Sequence, residues 1–159
     1  MIKPVHIVFN IEPFEHAYSD AIALTQEHWR EIAPYHDLLK VDPDIELYKL
    51  MDLKGRLITC TARDYDAGDQ LVGYMVLMIG PHPHYRSVIC ATEDLHFLRA
   101  DYRKGWTGVR FMRFCEKAAQ LKGAQLITGR AKARTQHGAL YKRLGYDLMD
   151  EVYTKRLDR

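Results

Sequence analysis

Leu95-His96-Phe97-Leu98-Arg99-Ala100-Asp101-Tyr102-Arg103-Lys104-Gly105-Trp106-Thr107-Gly108 is the stretch on which the reading of this chain turns. An apolar run ending at Leu98 gives way to a short basic loop, and apolar residues at helical spacing begin at Val109. A strand, a basic glycine-containing loop and a helix N-terminus together make an anion site. The first amides of the helix have no partner within it, and the macrodipole places partial positive charge there. Gly105 and Gly108 let the backbone approach a phosphate, and Arg103 and Lys104 add full charge. The loop is not a Walker A loop, because no Gly-Lys-Ser/Thr follows a four-residue gap. Nor is it a dinucleotide GxGxxG, which would follow the first strand of a parallel sheet.

Downstream, Val109, Phe111, Met112, Cys115, Ala118, Ala119 and Leu121 predict a helix that Gly123 closes. Gln125 to Thr128 reads as a short buried strand, Gln136 to Leu144 as a helix ended by Gly145, and Tyr146 to Leu157 as one or two final strands. Upstream, Ser87 to Leu98 is the third strand of a meander whose first two, Arg56 to Ala62 and Leu71 to Ile79, flank the turn cluster Asp64 to Asp69. A first strand covers Val5 to Phe9. After Pro13, helices are expected over Asp20 to Ile32 and, started by Asp42-Pro43, over Asp44 to Leu53. The order predicts one α+β domain over residues 1–159, with helices packed on a mixed, mostly antiparallel sheet.

The 159 residues suffice for one well-cored domain, and 47% apolar with 28% charged residues excludes a disordered chain. No apolar run approaches the roughly 20 residues of a membrane span, and the first residues lack a secretory pattern, so a cytoplasmic address is expected. Cys60, Cys90 and Cys115 each lie in apolar segments and read as buried, reduced thiols. His82 and His84 share a short spacing, but two ligands close no metal site, and none is expected. The net charge of +2 hides an asymmetry: residues 1–98 carry 8 basic against 15 acidic side chains, and residues 99–159 carry 15 against 6. The basic third suits a polyanionic ligand, either a nucleotide-like cofactor or nucleic acid, and the acidic part mildly favours a cationic partner.

Adding the C-terminal phrase sharpens this. Arg103-x-x-x-x-Gly108, followed by helix, strand and Ala139-Leu140-Tyr141-Lys142-Arg143-Leu144-Gly145-Tyr146, resembles the GNAT superfamily of N-acetyltransferases. The resemblance runs from about Arg56 to Leu157. It implies a sheet splayed around a central acyl-CoA site, with acetyl-CoA as co-substrate and an amine as acceptor: a small molecule, a protein lysine or an N-terminus. It also allows a homodimer through the C-terminal strands. The Arg103-Lys104-Gly105-Trp106-Thr107-Gly108 and His82-Pro83-His84-Tyr85 phrases look like phage-encoded members, which would act in a host cytoplasm.

By the same resemblance, Arg103, Lys104, Gly105, Trp106, Thr107 and Gly108 hold the CoA pyrophosphate. The backbone of His96, Phe97 and Leu98 pairs with the pantetheine arm, and Tyr141 is the general acid to the leaving thiolate. Two positions depart from the family: Trp106 stands where a glycine is usual, with Gly105 one place early, and Arg134 replaces an asparagine, offering an ion pair to a CoA phosphate. A carboxylate on the strand before the loop is the usual base. Glu93 is preferred over its neighbour Asp94, since adjacent strand residues face opposite sides, with His96 and His84 as further candidates. Two other functions fit the same residues: an enzyme of this fold modifying a base amino group of nucleic acid along Arg99, Arg130, Lys132, Arg134, Lys142 and Arg143, and a non-catalytic CoA-binding module.

Overall fold

The computed structural model describes residues 6–158; the expected start of the first strand at Val5 lies outside them. Strands β1 (Ile7–Glu12), β2 (Leu57–Asp64), β3 (Gln70–His82) and β4 (Tyr85–Leu98) form an antiparallel meander, and β5 (Leu126–Thr128) joins β4 in parallel. Helices α1 (Phe14–Ile32) and α2 (Ile45–Leu53) lie between β1 and β2; α3 (Thr107–Leu121) and α4 (His137–Leu144) bracket β5. This is the expected α+β, mostly antiparallel mixed sheet flanked by helices.

Alternation along the strands divides the core between two faces. Ile58, Met75 and Leu77 point towards Phe111, Met112 and Cys115 of α3, all at most 1% exposed. Their neighbours Leu57 and Val76 pack with Phe14 of α1, and Leu71, Tyr74 and Phe97 with Ala21 and Leu24. The three cysteines are free and buried.

Four elements differ from the sequence expectation. Helix α1 begins at Phe14, before Asp20, because Pro13 sits at its N-cap and the amide of Phe14 donates to the Asp52 carboxylate of α2 at 2.8 Å. A cap supplied from another helix leaves no local trace. Strands β3 and β4 run beyond the expected Ile79 and Ser87 into a tight turn, with His82 pairing Tyr85. Strand β5 is an exposed edge, with Leu126 52% exposed. No strand follows α4 among the described residues: Leu148, Met149, Val152, Tyr153 and Leu157 are 75–87% exposed in an extended tail tied down where Arg156 pairs with Asp37 at 2.6 Å. The tail alternates enough to read as strand, but burial and pairing decide strand formation, and here it has neither. No described helix is long and apolar enough to cross a membrane.

Candidate active site

Two features of β4 create the site. Its parallel pairing with β5 covers only Cys90↔Leu126, Ala91↔Ile127 and Thr92↔Thr128, after which the strands part. From Glu93 onward β4 therefore has a sheet partner on one side only. At the same place its register with β3 slips: Val76 faces Leu95 while Leu77 faces Glu93, leaving Asp94 as an extra residue. The bulge sends Glu93 and His96 to the α3–α4 face. Asp94 goes to the opposite face, where it accepts a hydrogen bond from Tyr48 of α2.

Glu93 is 5% exposed and occupies the fork between β4 and β5. Its Oε2 accepts a hydrogen bond from the Tyr141 hydroxyl of α4, and its Oε1 faces the Arg130 amide at 3.4 Å. Desolvation pushes the Glu93 carboxyl above its ordinary range, and burial together with the Glu93 charge pushes the Tyr141 phenol up as well. The pair thus holds a proton on the phenol and a carboxylate poised to take one. Tyr141 reaches this position because Gly129 follows β5: a Cβ there would lie 2.5–2.8 Å from the Tyr141 ring and hydroxyl.

His96 Nδ1 lies 3.7 Å from Glu93 Oε2, and this buried atom has no hydrogen-bond partner. Desolvation lowers the His96 pKa to about 3, so the imidazole that faces Glu93 is neutral. The ring stacks on His137, the first residue of α4, at 5.1 Å and 14°, bridging the cleft. On the other face Phe97 stacks on His28, whose Nδ1 lies 2.9 Å from the Tyr74 hydroxyl and whose pKa burial lowers to about 4.

The loop after β4 enters α3 as expected. Gly105 takes a left-handed conformation with φ of 58°, and Trp106, the N-cap of α3, supplies no side-chain cap; the Thr107 amide donates to Lys104 O at 3.4 Å, and the next amides, of Gly108 and Val109, are left to an outside acceptor. A Cβ on Gly108 would meet nothing within 4 Å, so the approach to those amides is open. Lys104 and Trp106 are exposed, and the Arg143 guanidinium lies 4.4 Å over the Trp106 ring. Arg134 is exposed in the loop between β5 and α4. Arg103 forks onto Glu31 of α1 at 2.7 Å twice and donates from Nε to Leu98 O at 2.5 Å.

The sequence-derived residues thus fall into two groups, Glu93–His96–Tyr141 in the fork and Leu98–Arg103–Gly108 at its mouth. Arg143, named above for a nucleic-acid track, lies over Trp106, and His137, Gly129 and Glu31 join them unforeseen. Of these only Gly129, a glycine directly after a strand and before a basic loop, carried a sequence signal. His84 lies in the β3–β4 hairpin, against His82 and Tyr85. Among the described residues no three His, Cys, Asp or Glu side chains group to hold a metal ion.

No protein-family model matches the chain, and no curated protein does. Solved structures do match. An aminoglycoside acetyltransferase from an uncultured soil metagenomic sample superposes with a TM-score of 0.71 at 14% identity, over 96% of this chain and 99% of that one. A predicted acetyltransferase with acetyl-CoA from Clostridium acetobutylicum gives 0.69 at 14% identity, over 96% and 97%. A ribosomal-protein-alanine N-acetyltransferase from Brucella melitensis biovar Abortus 2308 gives 0.68 at 14%, over 96% and 99%. The fold of this chain is that of the GNAT-type acetyltransferases.

Proposed function

We propose that the chain is an N-acetyltransferase that moves an acetyl group from acetyl-CoA directly to a primary amine. The observation that carries this reading is the buried Tyr141–Glu93 hydrogen bond at the point where β4 and β5 part. The open, uncapped N-terminus of α3 beside it supports a pyrophosphate site. Acetyl-CoA would supply the activated acyl group, held by the loop from Arg103 to Gly108 with Lys104, Gly105, Trp106 and Thr107, by the backbone of His96, Phe97 and Leu98 where β5 has parted from β4, and by Arg134.

Once the acceptor's ammonium has released one proton to water and stands as the free amine, the chemistry asked of the protein is movement of one proton from nitrogen to sulfur. Glu93, raised towards neutrality by burial, accepts the proton of the attacking amine. Its carboxyl can then donate to the Tyr141 oxygen, leaving the phenol's own hydrogen free to turn to the departing sulfur. The pair ends the turnover as it began. Likeness to an aminoglycoside acetyltransferase and the acidic balance of residues 1–98 support a small cationic amine as acceptor. The three free, buried cysteines suit a reducing compartment such as a cytoplasm. The open edge of β5 and the apolar tail favour self-association as a homodimer.

Calorimetric titration with acetyl-CoA, beside a Gly108→Glu variant, is the test. The substituted side chain has room, and an acidic residue in the first turn suits the helix dipole, so the variant folds and acts on the ligand through charge. Micromolar binding lost in the variant supports the reading, and a folded wild type that does not bind overturns it. The exposed Arg130, Lys132, Arg134, Lys142 and Arg143 favour one second reading, a nucleic-acid substrate. It requires binding to single-stranded RNA or DNA that falls steeply with salt.

A further inference from the structure

Arg103 opens the anion-binding loop, yet its fork of donors is already engaged. Nη1 and Nη2 each donate to one oxygen of the Glu31 carboxylate at 2.7 Å, Nε donates to Leu98 O, and the guanidinium lies 5.3 Å from the centroid of Phe97. This planar, two-pronged arrangement is the one a guanidinium offers to carboxylate and phosphate alike. Both side chains are 35% exposed, so a solute can reach the pair. Glu31 stands in the last turn of α1, where the helix dipole disfavours an anion. Its carboxyl is nevertheless held below the usual range, first by the hydrogen bond to Arg103. The carboxylate therefore depends on one cation that sits where a ligand phosphate is expected.

We propose that Glu31 is a built-in stand-in for the donor's pyrophosphate. It occupies the Arg103 fork in the free protein and yields it to an incoming phosphate, and so sets the affinity for the donor. A pyrophosphate carries two charges and also meets the α3 amides, whereas a single carboxylate has only Arg103. A donor with the pantetheine arm alone displaces nothing. Glu31 thereby weakens the binding of thioesters that carry the nucleotide pyrophosphate and leaves that of bare pantetheine thioesters unchanged. The inference rests on the acetyl-CoA reading above.

The alternative is that Glu31 holds Arg103 in place for the ligand, and the two roles predict opposite signs. Acetyl-CoA and S-acetylpantetheine are titrated into the wild type, Glu31→Gln, Arg103→Ala and the double variant, with folding checked by circular dichroism. Removing the competitor should tighten acetyl-CoA binding about three- to fivefold in Glu31→Gln, the size of an exposed ion pair, without changing the weak binding of S-acetylpantetheine. Arg103→Ala should weaken acetyl-CoA binding at least tenfold, and adding Glu31→Gln to it should change nothing more. Should Arg103→Ala not fold, Arg103→Lys replaces it; it keeps the charge but loses the fork, and it should remove most of the gain from Glu31→Gln. Acetyl-CoA affinity that is unchanged or weaker in Glu31→Gln overturns the stand-in role while leaving the donor reading intact. A folded wild type that binds no acetyl-CoA overturns both.

Discussion

Glu93 and Asp94 are neighbours in sequence, and each accepts a hydrogen bond from a tyrosine, yet the two pairs sit in different worlds. Strand alternation places them on opposite faces. Asp94 meets Tyr48 of α2, whose ring stacks at 4.8 Å on Phe14 of α1, so this pair ties both N-terminal helices to the sheet. Glu93 meets Tyr141 in a fork where the sheet ends, beside an unpartnered imidazole nitrogen and a loose amide contact. One carboxylate has its needs met by packing; the other is kept dry but incompletely satisfied. Buried polar groups are normally paired, and an incomplete set in a cleft marks a place where a ligand completes it.

The sharpest way to break this comparison is to remove each pair in turn. Glu93→Gln and Tyr141→Phe should each lower thiol release with the best amine of an acceptor screen about 10²–10³-fold, with the fold retained. If the proton passes between them as proposed, the double variant should lose little more than either single one. Asp94→Asn and Tyr48→Phe should leave turnover within a fewfold of wild type and cost about 1 kcal/mol in denaturant unfolding. Loss of turnover in Asp94→Asn with none in Glu93→Gln would exchange the two roles.

A glycine pair sharpens the same contrast. Gly129→Ala drives a methyl into the Tyr141 ring, which is fixed between β5 and α4, and should destabilise by about 1–3 kcal/mol while disturbing the Glu93 hydrogen bond and activity. Gly80→Ala meets the guanidinium tip of Arg56 at 2.7 Å, a flexible group that can move aside, so unfolding should shift by less than about 0.5 kcal/mol. Equal costs at the two sites would show that the Tyr141 ring is not locked in place.

Much of this arrangement was legible in the sequence, and the boundary of legibility has a physical basis. The order of elements, the anion loop and the opposed directions of Glu93 and Asp94 follow from local periodicity and turn chemistry. The Asp52 cap on Phe14, the Glu31 partner of Arg103 and the His96–His137 stack do not, because each joins residues 38 or more positions apart through side chains with no spacing signature. The tail shows the converse error. Tyr146 to Leu157 has the alternation of a strand but no described neighbour to pair with, and β5, which reads as buried, is an exposed edge.

The surroundings of Glu93 also set a pH response. Buried His28 and His96 have folded pKa values of about 4 and about 3, well below the ordinary 6.5 of an unfolded chain. Between those limits the unfolded state binds more protons. The stability is therefore present above about pH 6.5 and lost as pH falls, at about 1.4 kcal/mol per pH unit for each histidine. Glu93, with its carboxyl raised, acts in the opposite sense, since protonation relieves its buried charge. Urea unfolding at pH 8, 6 and 5 should show the decline, and His96→Gln should remove part of the slope. A slope untouched by His96→Gln would mean that this imidazole is already charged in the folded protein, and the contrast between the two carboxylates would lose its basis.

The smallest expected effect supplies the baseline. Tyr153 donates to Glu151 at 2.6 Å, a third tyrosine–carboxylate pair of the same chemistry, with the phenol residue 86% exposed on the tail. Water replaces that bond at almost no cost, so Tyr153→Phe should leave Tm within about a degree and turnover unchanged. The three pairs then form a graded series in which one hydrogen bond does nothing in water, holds helices when half-buried and, on the proposed reading, moves a proton when buried in an open fork. If Tyr153→Phe lowers Tm by several degrees in a concentration-dependent way, the phenol is buried in an assembly, and the tail's exposure belongs to the isolated chain alone.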